Sequence, residues 1–158
     1  MCCSYSRHPL EDDEKLVNLI TAKTAKKLEN EKSLILIGTG GSMMDDIKML
    51  MMGFEYRKAV NIAMARKLLI DSVEEYLSEI NANEVIRAHL HNYPFTSKNI
   101  EIVIYIRNPD GSKVALDEFK VISALEGKMF YYVDCPEKHT LKAVYEETYE
   151  EALQLVSK

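Results

Sequence analysis

Apolar positions recur at helical spacing in three stretches of the chain and crowd or alternate in the others. From Glu11 to Glu31, Leu16, Val17, Ile20, Thr24 and Leu28 share one face, which predicts an amphipathic helix. Pro9 suits its start. The acids Glu11, Asp12, Asp13 and Glu14 suit the positive end of its dipole, and Lys23, Lys26 and Lys27 the other end. Ser33 to Ile37 is a short apolar run that predicts a buried strand, closed by a loop, Gly38-Thr39-Gly40-Gly41-Ser42. The Met-rich stretch after it fits either helix or strand up to Gly53. The alternation Gly53-Phe54-Glu55-Tyr56-Arg57 favours a strand, placed from Ile47 to Ala59.

Asn61 is a good N-cap, and the run from there to Ile80 carries Ala65, Leu69, Val73, Tyr76 and Ile80 on one face. Asn83 can cap one further turn through Arg87. Residues His91 to Asn99, broken by Pro94, predict a loop. Ile100 to Arg107, Phe119 to Leu125 and Lys128 to Val133 predict three strands. Asn108-Pro109-Asp110-Gly111 and Gly127 mark the turns between them. Thr140 predicts the cap of a last helix with Leu141, Val144, Tyr145, Thr148, Ala152 and Leu155 on one face. The order α β β α β β β α, with short turns between neighbouring strands, predicts an α+β fold. It is a two-layer sandwich, a mostly antiparallel sheet with three helices on one side. Tyr105, Tyr131 and Tyr132 are candidates to line the other side of the sheet.

A chain of 158 residues fits one domain, here residues 10–158, preceded by a tether over 1–9. Apolar residues are 47% and charged residues 28%, the balance of a globular domain that buries a core. The net charge of −5 argues against a nucleic-acid binder, which carries a basic face. No apolar run approaches the roughly 20 residues of a membrane span.

The chemistry on offer is sparse. Three cysteines, Cys2, Cys3 and Cys135, leave no fully paired disulfide set, and no Cys-x-x-C pair suggests a thiolate metal site. Cys2 and Cys3 stand in a terminus with no apolar core of a signal peptide. They read either as two thiols at a chain end or as lipid-attachment points, where two acyl chains anchor far better than one. The second reading needs a leader upstream of Met1.

The run Gly38, Thr39, Gly40, Gly41, Ser42 can present backbone N–H groups to a phosphate or other anion. It is similar to the Gly-x-Gly-Gly-Ser phosphate loop of sugar-phosphate isomerase domains over about eight residues. It has no P-loop lysine, and Met43 follows Ser42.

His89 and His91 would share a face on a strand, yet no carboxylate is spaced to join them, so no metal site is expected. Met43, Met44, Met49, Met51 and Met52 read as core filling. Cys135 and His139 lack a third group to orient them. Glu146-Glu147 and Glu150-Glu151 read as the solvated face of the last helix. Tyr93-Pro94-Phe95 either plugs a core edge or offers a contact loop. These residues assemble no catalytic constellation, and no cofactor is expected.

Ala65-Arg66-Lys67-Leu68-Leu69, Val73-Glu74-Glu75-Tyr76-Leu77, Ile80-Asn81, His91-Asn92-Tyr93-Pro94-Phe95 and Glu146-Glu147-Thr148-Tyr149-Glu150-Glu151-Ala152 together resemble a group of uncharacterised small bacterial exported or lipoprotein-like proteins. The resemblance spans most of the chain. It implies a cell-envelope or exported location if a leader is removed, and a cytoplasmic one otherwise. It supplies no catalytic residue.

Two functions follow as expectations. One is a non-enzymatic envelope or exported protein acting on an unknown protein partner. The other is a small enzyme or ligand-binding domain holding an anion at Gly38–Ser42.

Overall fold

A computed structural model describes residues 9–156 as an α+β fold. Helix α1 (Pro9–Lys32) leads into β1 (Ile35–Ser42) and β2 (Met49–Tyr56). Helix α2 (Ile62–Ala82) and the single turn α3 (Glu84–Arg87) follow. Then come β3 (Ile100–Ile106), β4 (Val121–Leu125), β5 (Lys128–Cys135), β6 (Thr140–Thr148) and α4 (Tyr149–Val156). The sheet has six strands in sequence order. Four helices stand where three were expected. The proposed tether, with Cys2 and Cys3, lies outside the described residues except for Pro9.

Every neighbouring pair is antiparallel except β2–β3, which is parallel because α2 carries the chain back over the sheet between them. The helices lie on one face: α1 against β1, α2 against β3 and β4, α4 against β5 and β6, with α2 touching α1, α3 and α4. Val17, Ile20, Thr24 and Leu28 of α1 point inward, as their spacing requires. Leu69, Val73, Tyr76 and Ile80 of α2 meet Leu50, Met52, Phe54, Ile102, Ile104 and Ile122 from the sheet, all essentially without exposure.

Local chemistry fixes the ends. Asn61 caps α2 by accepting from the Met64 N–H at 2.8 Å, and Asn83 caps α3 by accepting from Val85 and Ile86. Ser33 ends α1 in the left-handed conformation, its N–H reaching Glu29 O at 3.0 Å. Glu126 and Gly127, both at positive φ, make the tight β4–β5 hairpin.

The structure corrects four expectations here. The strand expected to be buried at Ser33–Ile37 is an edge strand, with Ile35, Leu36 and Ile37 exposed. The glycine run is not a loop: Gly38–Ser42 continues β1 in register with Gly53–Met49 of β2. Strand β2 is shorter than predicted, beginning at Met49 and stopping at Tyr56. The helix expected from Thr140 is strand β6 as far as Thr148, and only Tyr149–Val156 is helical. Strand β5 runs on to Cys135, so its free ladder recruits the returning chain. His139, at φ 50°, makes the reversal after a 3-10 turn at Pro136–Lys138. A bulge hides this strand in the sequence. Tyr131 pairs with Tyr145 and Tyr132 with Ala143, so Val144 is an extra residue and the period-two pattern breaks.

Candidate functional site

Strand parity assigns each side chain of the sheet to the helix-covered face or the open one. On β2, β3 and β5, the residues Leu50, Met52, Ile102, Ile104, Met129 and Tyr131 face the helices and are buried. The alternate residues face away, where no helix packs. Met49 and Met51 come from β2, Val103 and Tyr105 from β3, Val121 and Ser123 from β4, and Phe130 and Tyr132 from β5. Val121 is only 6% exposed, although it lies outside the main core cluster. The Phe130 and Tyr132 rings stack at 6.2 Å beside it. Tyr105 is exposed. Glu101 is half-buried beside Met51, with no hydrogen-bond or ion-pair partner among the described residues. The open face is thus an apolar and aromatic strip with two carboxylates that have no partner among the described residues, Glu101 on β3 and the exposed Glu146 opposite Phe130 on β6.

Of the three tyrosines expected to line this face, Tyr105 and Tyr132 do. Tyr131 has the opposite parity and is wholly buried under the helices. There it donates to Glu147 Oε1 at 2.9 Å. Glu147 also takes a two-pronged contact from Arg66 of α2, Nε to Oε1 at 2.7 Å and Nη2 to Oε2 at 3.0 Å. Burial works to raise the Glu147 carboxyl. The Arg66 and Tyr131 hydrogen bonds and the Arg66 charge outweigh it and hold the carboxyl below its usual range. Burial, and then the Glu147 carboxylate, push the Tyr131 phenol up. Glu147 was expected on a solvated helix face. Its place on β6 turns it into the core, and no spacing in the sequence pointed to Arg66 as its partner. The pair ties α2 to the sheet, and both Glu147 oxygens are occupied by Arg66 and Tyr131, which suits a structural role.

The other candidates are spread over the molecule. Gly38, Thr39, Gly40, Gly41 and Ser42 form the exposed edge strand β1. An extended strand sends successive N–H groups to opposite sides, so they do not converge as a phosphate loop's do.

His89 and His91 flank the buried Leu90, which bridges to Ile47. Each ring pairs through Nδ1 with its own aspartate, His89 with Asp13 at 3.2 Å and His91 with Asp46 at 2.7 Å. Among the described residues, no group of three or more His, Cys, Asp or Glu side chains could hold a metal. Met52 is core, Met49 and Met51 lie on the open face, and Met44 is exposed.

Cys135 is a free thiol at the end of β5, and no hydrogen bond joins it to His139 among the described residues. The Tyr93-Pro94-Phe95 loop divides its roles. Phe95 plugs the core at 2% exposure, with its backbone N–H and C=O both held by the Asn81 side chain at 2.8 and 3.0 Å. Tyr93 stays exposed under the Arg87 guanidinium, 4.3 Å from its ring centre.

A cleft of about 270 Å³ opens where the end of α1 meets the start of α2, lined by Lys32, Lys58, Lys67, Tyr56 and Asp71. Two of its lysines are already committed: Lys32 and Lys67 lie 2.9 and 3.0 Å from Asp71 Oδ2. No described helix is long and apolar enough to cross a membrane.

Compared with protein-family models, curated proteins and solved structures, the chain has no match. Its own residues define an α+β protein with one helix-covered and one open sheet face.

Proposed function

We propose that this chain is a non-enzymatic interaction protein, and that its open sheet face is the contact surface. The observation that carries the reading is the strip of Met51, Val103, Tyr105, Phe130 and Tyr132 on the face away from the helices, with Tyr105 exposed and the other four half-buried. Contiguous apolar surface of this kind marks protein contact sites, and aromatic residues dominate the energetics of such contacts. The unpaired Glu101 within the strip selects a partner surface that is apolar with a lysine or arginine in it. A cell-envelope or exported location is part of the proposal. It rests on the Cys2-Cys3 terminus and on the resemblance to small exported proteins.

Two experiments test it. A photo-crosslinking residue placed at Tyr105 should capture a partner in the source cells, and one placed at Lys26 on the helix side should not. Glu101→Lys should weaken that capture, and a basic residue should lie at the crosslinked site of the partner. Equal capture from both positions, or capture indifferent to Glu101→Lys, refutes the surface. Intact-mass mapping of the native N-terminus tests the location: an acylated cysteine in the membrane fraction supports it, and an unmodified cytosolic chain refutes it.

A further inference from the structure

Strand β1 is an edge of the sheet, exposed at all eight positions. Monomeric proteins blunt such edges with charge, proline or cover. This one carries Ile-Leu-Ile-Gly-Thr-Gly-Gly-Ser and no charge at all. The opposite edge, β6, is defended by Lys142, Glu146 and a bulge. Strand β1 has a bulge too, between Leu36 and Gly38, but Gly38–Ser42 beyond it is regular.

Gly38 borders the bulge of β1, but neither its backbone angle nor its neighbours demand a glycine there. Its φ is not positive, and a Cβ built there meets nothing within 4 Å. Glycine in a strand costs roughly 0.5–1 kcal/mol relative to alanine. A strand glycine marks a bulge or a place where another backbone approaches closely, and on this open edge Gly38 serves the bulge and leaves room for a second strand.

Helix α1 lies beside the same strand, and a groove between them joins Asn18 and Thr21 to Thr39, Gly40 and Gly41. Lys15, Ala22 and Glu29 are spaced by seven residues and so share one flank of α1. All three are exposed, and neither charge has a partner among the described residues. Lys23 and Lys27, by contrast, turn to α2 and pair with Glu79 and Glu75. A twofold axis normal to the sheet at Gly40 would pair Gly38 with Ser42 of the copy, keep the helices of both copies on one face, and bring the outer flanks of the two α1 helices together. It would run two β1 strands antiparallel and two α1 helices antiparallel. Lys15 of each copy would then face Glu29 of the other, with the small Ala22 at the crossing.

We infer that the chain forms a twofold dimer with a second copy of itself through Gly38–Ser42 and the Lys15–Ala22–Glu29 flank of α1, joining two six-stranded sheets into one. This inference stands apart from the open-face reading, since it uses the edge of the sheet and not its face.

Sedimentation of the full chain over a range of concentrations tests it. The wild type should reach twice the chain mass. Gly38→Lys has room for its side chain within one copy, so it should fold normally by circular dichroism and sediment as a monomer. Lys15→Glu and Glu29→Lys should each raise the dimer dissociation constant several-fold, and the double variant should restore it. A wild type monomeric at every concentration overturns the inference. So does a dimer unaffected by Gly38→Lys, or a double charge reversal that fails to rescue. The two charge variants lie on the helix surface, so the test stands even if Gly38→Lys misfolds.

Discussion

Replacing Glu147 by glutamine asks how much the fold depends on the charge pair under α2. The substitution keeps the side-chain shape and removes only the charge. The Glu147 side chain has no exposure and that of Arg66 is 12% exposed, so the guanidinium left behind finds little water. Breaking a buried pair from one side costs about 3–5 kcal/mol. The amide oxygen still accepts one hydrogen bond and Arg66 keeps a rim of solvent, which places the loss near the lower bound, about 3 kcal/mol. At about 2–4 °C per kcal/mol for a domain of this size, Tm falls by about 6–12 °C.

Arg66→Met strands the carboxylate instead and should cost as much. Combining Arg66→Met with Glu147→Gln removes both charges and should recover most of the loss. The assay is urea unfolding followed by circular dichroism, repeated from neutral to acid pH. In the wild type the native carboxyl lies below its ordinary 4.5, so the unfolded chain takes up the proton first. The stabilisation is therefore complete above that value and drains away as pH falls through the native one. In Arg66→Met, burial raises the carboxyl, the native state binds the proton first, and the deficit shrinks in acid. A loss below about 1 kcal/mol, the size of an exposed pair, would refute the reasoning. A double variant as unstable as the sum of the singles would refute it equally.

Three further substitutions probe the rest of the fold. Asn81→Ala leaves the Phe95 N–H and C=O without their side-chain partner, and should cost about 1–3 kcal/mol by chemical denaturation; an unchanged midpoint would show that the 93–95 loop is held by Phe95 packing alone. Burial pushes the Tyr76 phenol up to about 12, opposed by its hydrogen bond with Thr21, while the unfolded phenol titrates near 10. The unfolded chain loses that proton first, so wild-type stability should fall as pH rises from about 10 towards 12. Tyr76→Phe should flatten that decline, and an identical alkaline slope in the variant would rule Tyr76 out as its source. Gly127→Ala puts a Cβ at φ +80°, 3.2 Å from Lys98 Cγ, and should destabilise the chain by about 1–2 kcal/mol in thermal melts; no change would mean the hairpin can shift its turn.

Where a local pattern and its burial agree, the chain is legible. Leu69, Val73, Tyr76 and Ile80 mark α2 because one helix face meets the sheet. Asn61 and Asn83 mark its ends because their side chains bond the free N–H groups of the next turns. The reading slips wherever a partner strand decides. Leu141, Val144, Tyr145 and Thr148 fit a helical period, but their backbone completes the ladder of β5, and the extra residue at Val144 erases the strand period. Glu147 inherits that slip: seen on a helix it belongs to solvent, and seen on β6 it is the buried anchor for Arg66. Tyr131 and Tyr132 are neighbours in the sequence, and strand parity alone sends one into the core and the other to the open face.

The glycine run shows the same physics from the other side. Gly38–Ser42 looks like a loop because nothing in it packs, and it is a strand because β2 offers it a ladder. A segment with so little side-chain reason to be extended is held by backbone hydrogen bonds on one edge. Its other edge is left with the same unspent N–H and C=O groups, which is where a second strand would add most.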